Sequence, residues 1–533
     1  LTEPEHLSFS AAFPYPSRRI PVFAENVVAT SQPLASQAGI EMLRSGGNAV
    51  DAALAAAIAL TVVEPTGNGI GSDAFALIWD GRRLHGLNGS GKSPAGWSQR
   101  HFRNYREMPL TGWDSVTVPG AVDAWRELSR RFGKLEFAAL FEPAIRYAAE
   151  GFAVTPTVAS LWSEARKIYR HLPEFAKAFL PGGKSPVAGD RFACPGQADT
   201  LKQIAETKGR AFYQGEIAGK IAACAAEGGG LLTVEDLAAH RSEWVDPIHI
   251  PYRGIDLHEL PPNGQGLAAL IALGLMRHHD IGSCPPDSVD SVHLQVEAMK
   301  IAFAEAWRKV SDPATMRVDP LALLDDGFLQ KRAAEIRMDR AGRPAATAPR
   351  ESGTVYLTAA DQHGMMVSYI QSNYMGFGSG IVVPGTGISL QNRGAGFSLE
   401  KGHPNRVAGA KRPYHTIIPA IVTRRGQPVL SFGVMGGIMQ PQGHVQVAVR
   451  IFDHGFNPQA ASDAPRWCLT EDFQLAMEPG FDPHVADGLR DRGHRIVVDP
   501  APKTFGGAQL IARLKDGYCA ASDHRKDGSA VGF

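Results

Sequence analysis

The chain has no charge of one sign to spare: its 533 residues carry 54 Lys and Arg against 54 Asp and Glu. Without a basic excess nothing neutralises a run of phosphates, so nucleic acid is not an expected partner. Cysteine is scarce too. Cys194, Cys224, Cys284, Cys468 and Cys519 are odd in number and none forms a CxxC pair, which speaks against a disulfide framework and against a zinc site. Long apolar runs are missing. The most apolar stretch, Ala52 to Val63, is about a dozen residues where a membrane span needs about twenty, so it reads as a buried helix and no membrane is expected. No basic start with an apolar segment behind it opens the chain, so no signal peptide is visible and a cytoplasmic protein is expected. The first residue is not Met, which leaves a removed leader, and a periplasmic or secreted protein, open. No repeat of solenoid length occurs.

What is present is core. Hydrophobic residues make up 44% and charged residues 20%, the balance of a folded chain long enough for about three or four average domains or fewer large ones. Ser31 is placed to cap a helix with Pro33 in its first turn, stopped by Gly46-Gly47; Asn48 caps the next, with Asp51 in its first turn. "DAFALIWDGRRLHGLNGSG" reads as two strands around Asp80-Gly81. Residues 120–330 read as mostly helical, most clearly where Val292, Val296, Met299 and Phe303 recur on one face. Residues 338–353 read as a tether without periodicity. Strands then dominate to about 435, helices follow near 441–451 and 483–492, and a last strand pair lies near 508–520. Strands near both ends with helices between indicate an α+β fold of stacked layers.

Several motifs carry little. "GNGIGSDA" follows a helix, not a strand, so the context of a dinucleotide loop is absent. His278-His279-Asp280 reads as a polar helix end, and Gly89-Ser90-Gly91 lacks the spacing of a hydrolase elbow. Gly353-Thr354 differs in kind. A Thr at a chain terminus combines nucleophile and base: its hydroxyl attacks an amide and its own α-amine takes the proton. That amine has a reference pKa of about 7.7–8.0, near working pH. A mid-chain Thr lacks it, so the Gly353–Thr354 bond would have to break first. The dipeptide alone is also consistent with a Thr that simply starts a strand.

Blocks spread along the chain settle between these. "LASQAGIEMLRSGGNAVDAALAAA", "VVEPTGNGIGSDAF", "TVPGAVDAW", "EAMKIAFAEAWRKVSDP", "SGTVYLTAADQHGMMVS", "FGSGI", "KRPYHTIIPAIV", "GVMGG" and "AASDHR" resemble, in order and over nearly the whole length, the γ-glutamyltransferase family of N-terminal-nucleophile hydrolases. The resemblance implies a four-layer αββα sandwich and one precursor cut into a large subunit, 1–353, and a small one, 354–533. They would pair as a heterodimer, with a dimer of heterodimers as a further level. It implies that Thr354 is the nucleophile freed by cleavage at Gly353-Thr354, that Ser372 hydrogen-bonds it, and that the Gly436 and Gly437 amides form the oxyanion hole. No metal or organic cofactor is implied, and the partner is a small-molecule amide substrate.

The departures from the family pattern concern the substrate. The Arg that holds a γ-glutamyl carboxylate falls on Ser90. The Asn falls on Tyr374, or on Asn373 if the register slips; the Gln falls on Arg393, the Asp on Gly396, and the paired Ser on His415-Thr416. An anion that would hold an ammonium is gone and a cation has arrived, so the acyl group is expected to lack the α-amino group and to end in a carboxylate or another polar acceptor. Arg393, His415 and Lys92 are the candidate holders, in that order. Branches of this kind include oxamate amidohydrolases and glutaryl-type acylases. The expected activity is an autoprocessing amidohydrolase, with a true γ-glutamyltransferase or glutathione hydrolase, and an uncleaved binding protein, as its rivals.

Overall fold

The computed structural model describes residues 18–343, 353–498 and 501–533; most of the expected tether lies outside them. Two seven-stranded antiparallel sheets form the centre. One runs Ser529–Gly532, Val27–Thr30, Gly353–Ala360, Met366–Tyr374, Asp73–Trp79, Leu84–Gly89, Glu243–Val245. The other runs Val22–Ala24, Tyr518–Ser522, Gly507–Arg513, Gln427–Met435, Ala420–Arg424, Ile255–Glu259, Ile248–Tyr252. Each sheet draws strands from both sides of residue 353, so the two halves of the chain are interleaved in hydrogen-bonded ladders.

Strand alternation builds the four layers. In Gly353–Ala360, Val355, Leu357 and Ala359 pack against the helices Pro33–Arg44 and Ala49–Val63. Tyr356 faces the opposite sheet, meeting Ile421 and Met435, and Thr358 meets Ser431 hydroxyl to hydroxyl at 2.7 Å. The far face of the second sheet is covered by Gly266–Met276, Val289–Lys309 and Met439–Ala448. The result is the α+β sandwich of the N-terminal-nucleophile type. Thr354 shares the parity of Tyr356, so its side chain emerges at one end of the seam between the sheets.

Ala49–Val63 is buried at every residue. It starts where expected: Asn48 Oδ1 accepts the Val50 and Asp51 N–H groups, and Asp51 returns the bond to the Asn48 N–H at 3.0 Å. The first helix is capped by Gln32, not Ser31. Ser31 donates instead to Glu64 at 2.5 Å, a carboxyl that burial pushes up to about 7. The helix of Val289–Lys309 and the turn at Asp80-Gly81 form where expected, and a second turn, Asp361–Gly364, joins Gly353–Ala360 to Met366–Tyr374. The "strand-rich" block is interrupted: between Tyr374 and Ala420 the chain makes only the short pairs Val382–Val383 and Ile388–Ser389. The helical middle also contributes edge strands to both sheets, and Ser529–Gly532 adds a strand beyond the expected last pair. Among the described residues no helix is long and apolar enough to cross a membrane.

Candidate active site

At the head of its strand, Thr354 breaks the ladder. Gly353 pairs with Tyr374 and Val355 with Gln371, so Ser372 and Asn373 together oppose Thr354. Such a bulge re-aims side chains, and here it turns Ser372 onto the nucleophile position. Thr354 Oγ1 lies 2.6 Å from the Gly353 carbonyl oxygen and 3.2 Å from Ser372 Oγ, and Ser372 Oγ lies 2.9 Å from the same carbonyl. A hydroxyl has one proton to donate. The arrangement that satisfies all three groups has Thr354 donating to Ser372 and Ser372 donating to Gly353 O, while the Tyr374 N–H donates to Ser372 Oγ at 2.8 Å. The Thr354 oxygen is left with lone pairs beside the Gly353–Thr354 peptide. Gln440 adds a third group, its Nε2 at 3.5 Å from Thr354 Oγ1.

The loop dismissed as a nucleotide motif lies against this point. A Cβ on Gly67 would stand 3.4 Å from the Thr354 carbonyl carbon, one on Gly69 would overlap Ser389 Oγ at 2.4 Å, and one on Gly71 the Ser389 carbonyl at 2.3 Å. Its glycines allow close approach to the strands that carry the site, a requirement set by partners some 300 residues away and invisible in the motif itself.

Gly436 and Gly437 follow the strand Gln427–Met435 with φ of +112° and +56°, both in the region that favours glycine. Their carbonyls are both engaged: Gly436 O accepts the Met439 N–H at 2.8 Å, and Gly437 O accepts Gln265 Nε2 at 2.8 Å. Gln265 also donates to the Thr416 carbonyl at 2.5 Å, tying the glycine pair to the next group of residues.

That group is built on Arg393, which is 1% exposed. Its Nη1 donates to Thr416 Oγ1 at 2.6 Å, and its guanidinium lies over the Tyr374 ring at 4.8 Å. Nε and Nη2, the two groups that share the other edge of the guanidinium, are buried and have no hydrogen-bond partner among the described residues. Burial lowers its pKa to about 10, with Asp73 opposing the shift. Arg393, Tyr374, Gly396, Tyr414 and Thr416 line a cavity of about 810 Å³ together with Met108, Trp307 and Phe397. Tyr374 has φ +77°, rare for a residue with a side chain and a feature of functional sites.

The remaining expected residues lie elsewhere. His415 is fully buried and outside the cavity lining; its Nδ1 accepts the Ile417 N–H, which places its proton on Nε2, 3.1 Å from Asp73. Burial, followed by Arg393, drives its pKa well below the ordinary value, so it is a neutral donor and not an anion holder. Asp73 also accepts the Gly91 and Gly120 N–H groups, and burial lifts it to about 7. Ser90 is bonded to Asn88 at 2.7 Å, and Asn373 is held by Ser72 and Ser389. Lys92 is exposed. Gln265, Gln440 and Asp73 were not singled out in the sequence; no motif marks an isolated polar residue that becomes important by burial.

Comparison with known proteins bears on this geometry. Residues 35–533 match the family model described as gamma-glutamyltranspeptidase. The chain is 36% identical to the glutathione hydrolase-like YwrD proenzyme of Bacillus subtilis, over 96% of this chain and 98% of that one. It is 35% identical to the oxamate amidohydrolase proenzyme of Klebsiella pneumoniae, over 94% and 97%. A crystal structure of cephalosporin acylase from Bacillus halodurans superposes with a TM-score of 0.94 at 48% identity, covering 99% of both chains. These relatives act on amide bonds or are proenzymes by name. The match to these relatives over nearly the whole chain makes the protein an enzyme acting on amide bonds, and the chain belongs to the gamma-glutamyltranspeptidase family.

Proposed function

We propose that the protein is an autoprocessing N-terminal threonine amidohydrolase that cleaves small acyl amides whose acyl part carries a carboxylate in place of a γ-glutamyl amino acid head. The observation that carries the first half is the contact of Thr354 Oγ1 with Ser372 and the Gly353 carbonyl. Attack by Oγ1 on the Gly353 carbonyl carbon moves the acyl group from nitrogen to oxygen and the hydroxyl proton to nitrogen. Water then hydrolyses the ester, leaving a Gly353 carboxylate and a Thr354 with both free amine and hydroxyl. The pieces 1–353 and 354–533 stay together because both sheets contain strands of each.

In the second cycle the same oxygen attacks a substrate amide, and the α-amine takes its proton and passes it to the leaving amine. The Gly436 and Gly437 N–H groups hold the tetrahedral oxyanion. Water releases the acid. Arg393 supports the second half. A buried guanidinium with one edge held by Thr416 and the Nε/Nη2 edge free matches the two oxygens of a carboxylate, the bidentate pairing in which Arg excels. A substrate ammonium at the same point would meet a buried cation directly, and the carboxylate that acts on that cation, Asp73, is already engaged by His415 and by the Gly91 and Gly120 N–H groups. The cavity is of the size that takes drug-sized ligands, so there is room for a leaving amine larger than ammonia.

The test has two stages. Denaturing electrophoresis and mass spectrometry should find two chains, the second beginning at Thr354. The processed enzyme should then prefer oxamate, succinyl or glutaryl amides and anilides to γ-glutamyl anilide by kcat/KM; preference for the γ-glutamyl donor would sink the substrate assignment. For Ser372→Ala we expect chain cleavage to slow about 10²-fold, the usual scale of a lost proton-handling group, with Ser372→Thr restoring it; time courses of band conversion measure this.

A further inference from the structure

Away from the cavity, one cluster of buried ionisable side chains joins the two halves of the chain around a stretch of backbone. His293, Glu297 and Lys300 lie on one face of the helix Val289–Lys309, and His494 meets them from the far half of the chain. His293 Nε2 donates to the Arg337 carbonyl at 2.8 Å, so its Nδ1 is an acceptor, and His494 Nε2 donates to it at 2.8 Å. Lys300 Nζ bonds Glu297 Oε1 at 2.7 Å and the Gly342 carbonyl at 3.2 Å. Glu297 Oε2 accepts the Gly342 N–H at 2.8 Å, and the Arg492 carbonyl accepts the Ala341 N–H at 2.6 Å. Arg492 in turn reaches Asp290, in the first turn of the same helix, at 2.5 Å.

A metal is the first thing such a group suggests, since the ligand atoms of His293, Glu297 and His494 lie within 4.8 Å of one another. The geometry argues otherwise. The facing imidazole nitrogens are 2.8 Å apart, closer than the separation of about 3.3 Å that two ligands of a tetrahedral zinc keep at about 2.0–2.1 Å from the ion. Both oxygens of Glu297 are already engaged, one by an ammonium. What the cluster does hold is backbone: the Arg337 carbonyl, both polar groups of Gly342 and the N–H of Ala341. Gly342 fits because a Cβ there would stand 2.7 Å from Glu297 Oε2.

We infer that this cluster is a clasp for the C-terminal end of the first subunit, gripping residues 337–342 between the helix Val289–Lys309 of that subunit and His494 and Arg492 of the second. The inference rests on the proposed cleavage after Gly353. Cleavage removes the covalent tie at the end of this stretch; the clasp holds the stretch by bonds to its own subunit and ties it to the second subunit through Ala341 N–H to the Arg492 carbonyl, with His494 to His293 and Arg492 to Asp290 beside it. Because Arg337 and Gly342 are themselves at the surface, the grip is on their backbone rather than on their side chains, and it tolerates sequence change there except at Gly342.

The test is hydrogen exchange of the processed enzyme, read by mass spectrometry on peptides covering 337–343. The wild-type amides of Ala341 and Gly342 should exchange at least about tenfold slower than in the Glu297→Gln, Lys300→Met double variant, which removes both charges of the buried pair and keeps its bulk. His494→Gln serves as an independent variant that touches neither charge and should loosen the same peptide. Amidase activity should stay within about twofold in both. Two chains on the gel with fast exchange at 341 and 342 in the wild type would overturn the clasp alone. A single chain would overturn the cleavage reading and, with it, the role at a subunit boundary. One equivalent of zinc bound by the wild type and lost in His494→Gln would reassign the cluster as a metal site.

Discussion

Thr354→Ala is expected to run as one uncut chain on a denaturing gel and to lose amidase activity by at least about 10⁴-fold, the scale on which enzymes lose activity with their nucleophile. The physical reason is that one residue carries both functions. Without the hydroxyl there is no attack on Gly353, hence no free α-amine, hence no base for the second reaction. Thr354→Val preserves shape and fails equally, which separates the oxygen from the packing. Thr354→Ser retains the hydroxyl and should still cut, more slowly. The pH profile of the processed wild type carries a second signature. The α-amine must be unprotonated to accept the proton of the hydroxyl, so kcat/KM should fall as pH drops through an apparent pKa of about 7–8, the range of an α-amine. An intact single chain with full activity, or a Thr354→Val variant that turns over normally, would end the proposal.

Arg393→Gln should lower kcat/KM for carboxylate-ended amides by about 10²–10⁴-fold. Leaving a buried charge without its partner costs about 3–5 kcal/mol, and each 1.36 kcal/mol is about tenfold in rate. The same variant should change uncharged acyl amides by less than about fivefold, because Thr354, Ser372 and the glycine pair are untouched. Chain cleavage should proceed normally, which shows that the fold survives. Arg393→Lys is informative in its own right: it keeps charge but replaces a planar fork by a point, so it should recover only part of the loss. Equal losses on charged and neutral substrates would show that Arg393 is structural.

Much of the architecture was legible because its causes are local. The Asn48–Asp51 box, the Gly-containing turn after Trp79, and the apolar face of Val289–Lys309 depend on residues within a few positions of one another. The break in regular strand between Tyr374 and Ala420 was not legible. Val382–Val383 and Ile388–Ser389 form strand there, but the rest of that segment is shaped by what it packs on, as where a Cβ on Gly394 would meet Trp97 at 2.6 Å and one on Gly396 the Tyr414 carbonyl at 2.5 Å. Ser31 satisfied every local rule for a cap, yet the carboxyl of Glu64, 33 residues on, took its hydroxyl.

The sequence by itself determined the family, through its motif blocks, and pointed to Thr354 as the nucleophile, because a nucleophile that carries its own base needs a hydroxyl residue directly after a bond that is cut. Only the tertiary structure separates the three candidate cations by environment. The sequence offered Arg393, His415 and Lys92 as candidate holders, in that order. Folding placed the first beneath Tyr374 with one edge free, turned the second onto Asp73 as a neutral donor, and left the third in solvent. Burial and hydrogen-bond partners are set by elements distant in sequence, and they, not residue type, decide whether a charge is available to a ligand.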